Sequence, residues 1–182
     1  MKTFTKTQKA YVFDFDDVLV KTSAMIHVKC GTATIKKLSS KEYISYELKQ
    51  DEYYDFFEFH DPIFIETAAE HIMFNTLVNI NNAIQKGTSS SLVFILTARE
   101  TTVKLAIHLF LTSRGISCIP LEHILIVGDN KELSIADSKK IELENLLNKG
   151  YTITFFDDDI RNIKIAESIL GIKTRHMEDD DI

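Results

Sequence analysis

Four short apolar runs punctuate the chain, and each closes on polar residues: AYVFDF from Ala10, SLVFILT from Ser91, HILIVGD from His123 and YTITFFDDD from Tyr151. Runs of this length, rich in β-branched and aromatic residues, predict buried strands. Between them the apolar spacing turns helical. Thr101 to Arg114 puts Ile107, Phe110 and Leu111 on one face and stops at Gly115; Ser138 to Lys149 carries Ile141, Leu143, Leu146 and Leu147 and stops at Gly150. Ile160 to Leu170 carries Ile160, Ile163, Ala166 and Leu170 ahead of Gly171. Strands alternating with helices predict an α/β fold, a Rossmann-like parallel sheet with right-handed crossovers and helices on both faces. Such sheets bind ligands at the carboxyl ends of their strands. Asp14, Asp16, Thr97, Asp129, Asp157 and Asp158 all fall at those ends.

The alternation breaks between the first and second runs. AMIHVKCGTATIKKL reads as a hairpin turning at Gly31, and Ser39 with Glu42 forms a capping-box pattern that opens a short helix. DEYYDFFEFHDP reads as an aromatic, acidic loop. Asp61-Pro62 then opens a long helix with Ile65, Ala69, Ile72, Thr76, Ile80 and Ala83 in phase, ending at Lys86-Gly87. A connection this long exceeds an ordinary loop. It predicts a mixed α+β cap, residues 21–90, inserted after the first strand of a core built from residues 1–20 and 91–182.

Composition narrows the picture. At 182 residues the chain suits one core plus one insertion, and its net charge of −6 argues against unspecific binding to a phosphate backbone. No apolar run approaches the ~20 residues that span a bilayer, and the basic opening MKTFTKTQKAYVF lacks the apolar stretch of a secretory signal. Cys30 and Cys118 are too far apart to suggest a metal site or a disulfide framework, which points to reduced thiols and the cytoplasm.

The chemistry concentrates where the first strand ends. Asp14, Asp16 and Asp17 repel one another and are costly to desolvate unless a cation or a proton holds them. VFDFDDVLV, VFILTAR, ADSKKIELENLL and ITFFDDDIRNI, in that order, resemble the four motifs of the haloacid dehalogenase-like (HAD) hydrolase superfamily. The segment LSSKEYISYELKQDEYYDFFEFHDPIF is similar to one in HAD-like proteins often encoded by bacteriophages, for which the compartment is the host cytoplasm.

The resemblance implies a phosphomonoester hydrolase. Phosphoryl transfer needs a nucleophile, charge neutralisation and a proton for the leaving oxygen. Asp14 matches the nucleophile that forms an aspartyl-phosphate, and Asp16 matches the general acid and base. Thr97 matches the hydroxyl that bonds a phosphoryl oxygen. Mg²⁺ is expected on Asp14, the carbonyl of Asp16, and Asp157, with Asp158 a direct or water-mediated ligand. Asp17 stands where the pattern usually has Gly, and Asp159 is expected to cap the following helix. The neutralising lysine is Lys139 or Lys140. Helical phase favours Lys139, which shares a face with Leu143 and Leu146. Arg99 is left between a substrate contact and a partner for a neighbouring acid.

The substrate stays open in sequence: a small phosphorylated metabolite, or a nucleotide or nucleic-acid end. The cap's Tyr43, Tyr46, Tyr53, Tyr54, Phe56, Phe57 and Phe59 beside Lys29, Lys36 and Lys37 would suit base stacking, yet a small insertion also needs such rings for its own core. Two rivals are a phospho-receiver module and a non-catalytic binding factor on the same fold. The first places its lysine after the last acids, against the order found here; the second would not need the full acidic set.

Overall fold

The computed structural model describes residues 8–177. In chain order the elements are β1 (Gln8–Phe13), β2 (Val20–Lys21), β3 (Ile26–Cys30), β4 (Ala33–Leu38), α1 (Ser40–Ser45), β5 (Glu52–Asp55), α2 (Ile63–Glu66), β6 (Ala69–Glu70) and α3 (Ile72–Gln85). There follow β7 (Leu92–Thr97), α4 (Lys104–Ser113), β8 (Ile124–Ile126), α5 (Ile135–Asn148), β9 (Tyr151–Asp157), α6 (Ile160–Glu167) and β10 (Ile172–His176).

The fold is α/β. Five parallel strands run in the order β10-β9-β1-β7-β8, so the first strand lies at the centre, between β9 and β7. The two-residue period of each strand divides the core. Ala10 and Val12, Phe94 and Leu96, and Ile153 and Phe155 pack with Leu143 and Leu146 of α5 and Ile163 and Ala166 of α6. The alternate residues Phe13, Val93, Ile95 and Phe156 pack with Phe74 and Leu77 of α3 and Ile107, Phe110 and Leu111 of α4. Phe13 and Phe156 stack at 4.6 Å between ring centres, locking β1 to β9 just beneath the strand ends. Helices therefore cover both faces, and β1, β7 and β9 deliver Asp14, Thr97 and Asp157 to the same edge.

Between β1 and β7 lie two small antiparallel sheets, β4-β3-β5 and β2-β6. The hairpin turns at Gly31, whose φ of +58° is one glycine adopts without strain. Ser39 and Glu42 form the reciprocal capping box of α1. The acidic aromatic stretch is not a plain loop: Glu52–Asp55 pairs with Cys30–His27, and a single 3₁₀ turn follows at Phe57–His60. The expected long helix is broken in two. Ala69 and Glu70 pair with Lys21 and Val20, and the His71 N–H donates to the Leu19 carbonyl, a non-local pull that helical phase does not register.

Helix α3, expected in the cap, packs in the main core through Phe74 and Leu77. A separate cluster gathers Ile26, Val28 and Leu38 with Tyr43, Tyr46, Tyr54, Phe56 and Phe59. Ile141 and Leu170, expected on buried faces, are 44% and 99% exposed. The edge strand β10, IKTRH, carries no apolar run and was not expected.

Candidate active site

The site is built from the ends of three adjacent strands. Asp14 follows β1 directly, and its N–H donates to the Phe156 carbonyl at 2.9 Å, which continues the β1–β9 ladder and brings Asp14 alongside Asp157. Thr97 ends β7 on the other side, almost wholly buried, and its Oγ1 accepts the Arg99 N–H at 3.2 Å.

Lys139 reaches this edge from α5. Ser134 caps that helix, and a lysine in its first turns, on the face shared with Leu143 and Leu146, points inward. Its Nζ donates to Asp14 Oδ1 and to Asp157 Oδ2, each at 2.7 Å, with Lys139 only 1% exposed. Lys140 lies outward, partly exposed, 3.9 Å from Glu144. Burial opposes the ammonium charge of Lys139, but the Asp14 and Asp157 carboxylates outweigh it and raise the lysine above its ordinary range.

Negative charge still exceeds positive here. Carboxylate oxygens of Asp14, Asp157 and Asp158 lie within 4.8 Å of one another. Burial pushes the Asp14 carboxyl well above its usual range; Lys139 pulls it down, while Asp157, Asp158 and Asp16 push it up. Asp158 is raised to about 7, first by burial and then by the charges of Asp157 and Asp17. Among the described residues this trio is the group with the spacing and donor chemistry for a hard divalent cation.

The two neighbouring aspartates at the end of β9 differ in their commitments. Asp157 is fully buried, and its carboxylate accepts from Lys139, from Asn162 Nδ2 at 2.9 Å and from the Asp159 N–H at 2.9 Å. Asp158 instead lines the cavity. Asp159 caps α6, accepting the Arg161 N–H at 2.8 Å, and also grips the Arg161 guanidinium. Asp17 stands at φ +56°, a left-handed conformation that Asp tolerates better than most residues. Asp129 is turned away: it accepts the Thr101 N–H and hydroxyl at the start of the helical segment leading into α4.

Gly128 shapes the same edge. A Cβ there would lie 2.0 Å from the Ala98 carbonyl, so only glycine lets the loop after β8 close on the end of β7. Asp16 has a partner that the sequence left undecided. Arg99 grips it from both sides, Nε to Oδ2 and Nη2 to Oδ1, each at 2.8 Å.

Above these residues lies a cavity of about 680 Å³. Asp14, Asp16, Thr97, Lys139 and Asp158 form its floor, Ile26, Tyr43, Phe56 and Phe59 one wall, and Lys131, Ser134 and Arg161 line it from the core side. The hairpin lysines are committed elsewhere: Lys29 pairs with Asp55, Lys37 with Glu58, and Lys36 lies over the Tyr46 ring. His27 serves the small sheet, bonded to Glu58 at 2.6 Å.

No known family pattern and no curated protein matches the chain. Among solved structures, a chain from the structure of the Pnkp1/Rnl/Hen1 RNA repair complex superposes with a TM-score of 0.62 at 13% identity. The match covers 98% of this chain and 45% of that one, so the present chain spans less than half of its neighbour's length. The likeness is one of fold.

Proposed function

We propose that the chain is a Mg²⁺-dependent phosphomonoester hydrolase of the HAD type, acting through an aspartyl-phosphate on Asp14. The observation that carries this reading is the buried Lys139 ammonium held 2.7 Å from both Asp14 and Asp157, with Asp16 two residues beyond Asp14 on the floor of the same cavity. A lysine so placed offsets the charge of an attacking carboxylate and an incoming phosphate together.

In the first step a carboxylate oxygen of Asp14 attacks phosphorus and the ester P–O bond breaks. Asp16, protonated on an oxygen released from the Arg99 fork, gives its proton to the departing oxygen, so the leaving group departs as a neutral alcohol. In the second step Asp16 takes a proton from water as that water attacks phosphorus. The bond to Asp14 breaks and inorganic phosphate leaves. Thr97 donates its hydroxyl to a phosphoryl oxygen throughout.

Asp14, Asp158, the carbonyl of Asp16 and, through its remaining lone pairs, Asp157 would hold Mg²⁺. The fit rests on hard oxygen donors within 4.8 Å and on a carboxyl, Asp158, whose charge the protein's own cations leave unbalanced. When bound, Mg²⁺ supplies neutralisation of phosphoryl charge.

We read residues 21–90 as the segment that supplies the roof, with its aromatic cluster the part that selects the leaving group. A nucleotide or nucleic-acid end is the favoured specific substrate class. Tyr43, Phe56 and Phe59 line the cavity, and the structural neighbour belongs to an RNA repair complex. Among the described residues no helix is long and apolar enough to cross a membrane, and the reading expects action in the cytoplasm.

The test is release of phosphate from a panel of alkyl phosphates, nucleotides and 3′- or 5′-phosphorylated oligonucleotides, with Mg²⁺ or EDTA, beside Asp14→Asn. Metal-dependent release lost in the variant is the expected result. Folded protein inactive on the whole panel counts against the reading.

A further inference from the structure

Arg99 is 2% exposed, yet it lines the cavity and is not bonded to the nucleophile or to Lys139. Four hydrogen bonds use four of its five N–H donors. Two go to Asp16; Nη1 donates to the Phe59 carbonyl at 2.8 Å, and Nη2 also reaches Thr22 Oγ1 at 3.3 Å. The guanidinium carbon lies 5.1 Å from the centre of the Phe59 ring. Phe59 lies within the Phe57–His60 turn, part of the aromatic wall.

That turn is itself fastened to the small sheet. The Glu58 carboxylate accepts from the Met25 N–H at 2.7 Å, His27 Nε2 at 2.6 Å and Lys37 Nζ at 3.1 Å. On the core side, His60 lies 3.3 Å from Glu100, the neighbour of Arg99. A continuous set of charge-assisted bonds thus runs from β3 and β4 through Glu58 to the turn, and from the Phe59 carbonyl through Arg99 to both oxygens of Asp16. A guanidinium fork fixes the plane of the carboxylate it grips, whereas a lysine would leave it free to rotate.

We propose that Arg99 is a positioning residue that makes the alignment of Asp16 depend on the seating of the Phe57–His60 turn over the cavity. The inference rests on the phosphatase reading above. It assigns Arg99 a part distinct from substrate binding: when a leaving group displaces the turn, the fork moves and Asp16 moves with it. The wall that meets the leaving group and the acid that protonates it are then one device.

The experiment compares Arg99→Lys, Asp16→Asn and the double variant on an alkyl phosphomonoester, which needs a proton donor, and on p-nitrophenyl phosphate, which needs one far less. Arg99→Lys should lower the single-turnover rate of alcohol release from the alkyl ester about 10²-fold with KM within about threefold. The loss in the single-turnover rate of nitrophenolate release from p-nitrophenyl phosphate, which reads the first step apart from the shared hydrolysis of the aspartyl-phosphate, should be at least ten times smaller. Adding Arg99→Lys to Asp16→Asn should cost nothing further, because both act through one group. Equal losses on the two esters with a raised KM, multiplying in the double variant, would assign Arg99 to substrate phosphate and overturn the proposal. Hydrogen exchange gives a readout independent of turnover: amides of residues 56–61 should exchange faster in Arg99→Lys, and unchanged exchange overturns the link to the turn. Wild-type protein that hydrolyses neither these esters nor the nucleotides and phosphorylated oligonucleotides overturns the phosphatase reading, and the exchange result then still decides whether Arg99 seats the turn.

Discussion

Lys139 is the residue on which most of the site's electrostatics turn. Its ammonium is buried with two carboxylates, and removing one partner of such a group leaves uncompensated charge in the interior. Lys139→Met is expected to destabilise the fold by about 3 kcal/mol in chemical denaturation. It should also lower phosphatase turnover about 10²- to 10³-fold. A variant as stable as the parent would contradict the charge balance described here. Asp158 predicts the opposite sign. Its carboxylate repels Asp157 and Asp17, so Asp158→Asn should raise the melting temperature in EDTA. Saturating Mg²⁺ at about 100 times its Kd should stabilise the parent by about 2.7 kcal/mol and the variant by much less. Stabilisation undiminished in the variant would exclude Asp158 as a ligand. Of the site, the strand-end acids, Thr97 and the inward phase of Lys139 were legible because each is fixed by local period. The Arg99–Asp16 fork joins residues 83 apart in sequence, and local period carries no information about such a pair.

Among the elements, the Phe57–His60 turn depends on one buried acid. Burial works against the charge of Glu58, but bonds from the Met25 N–H, His27 and Lys37 outweigh it and hold the carboxyl below its ordinary range. A depressed folded value means that this stability is present above the unfolded pKa of about 4.3 and is lost as pH falls through the folded value. Acidification below about pH 4 should therefore expose residues 52–61 to proteolysis or exchange, and Glu58→Gln should remove that pH dependence. It should also cost about 1.5–3 kcal/mol at neutral pH, the worth of hydrogen bonds to a charged group. An unchanged acid profile in the variant would show that another group governs the turn. The elements missed in sequence share a physical cause. β5, β6 and β10 are short strands held by partners elsewhere in the chain: β5 pairs with β3, β6 breaks a helix-like phase by pairing with β2, and β10 is an edge strand that needs no continuous apolar run. The runs of β1, β7, β8 and β9 and helices α4 and α5 were legible because burial on both faces of the sheet writes itself into adjacent residues.

Over the whole molecule, the parallel sheet sets the chemistry by topology. Placing β1 between β9 and β7 puts Asp14 next to Asp157 and within reach of Thr97, and the crossover into β9 carries Lys139 between them. The segment inserted after β1 puts an aromatic wall above that edge and reaches Asp16 through Arg99. The central claim is that Asp14 carries the phosphoryl group between the two half-reactions. The most direct measurement is rapid acid quench of a single turnover on the best panel substrate in Mg²⁺, followed by mass spectrometry of the peptide containing Asp14. The account predicts a phosphoryl adduct on Asp14 that appears before free phosphate, decays as phosphate is released, and accumulates when Asp16→Asn slows the second step. Phosphate released at full rate with no adduct at any time, or an adduct on another residue, would contradict it.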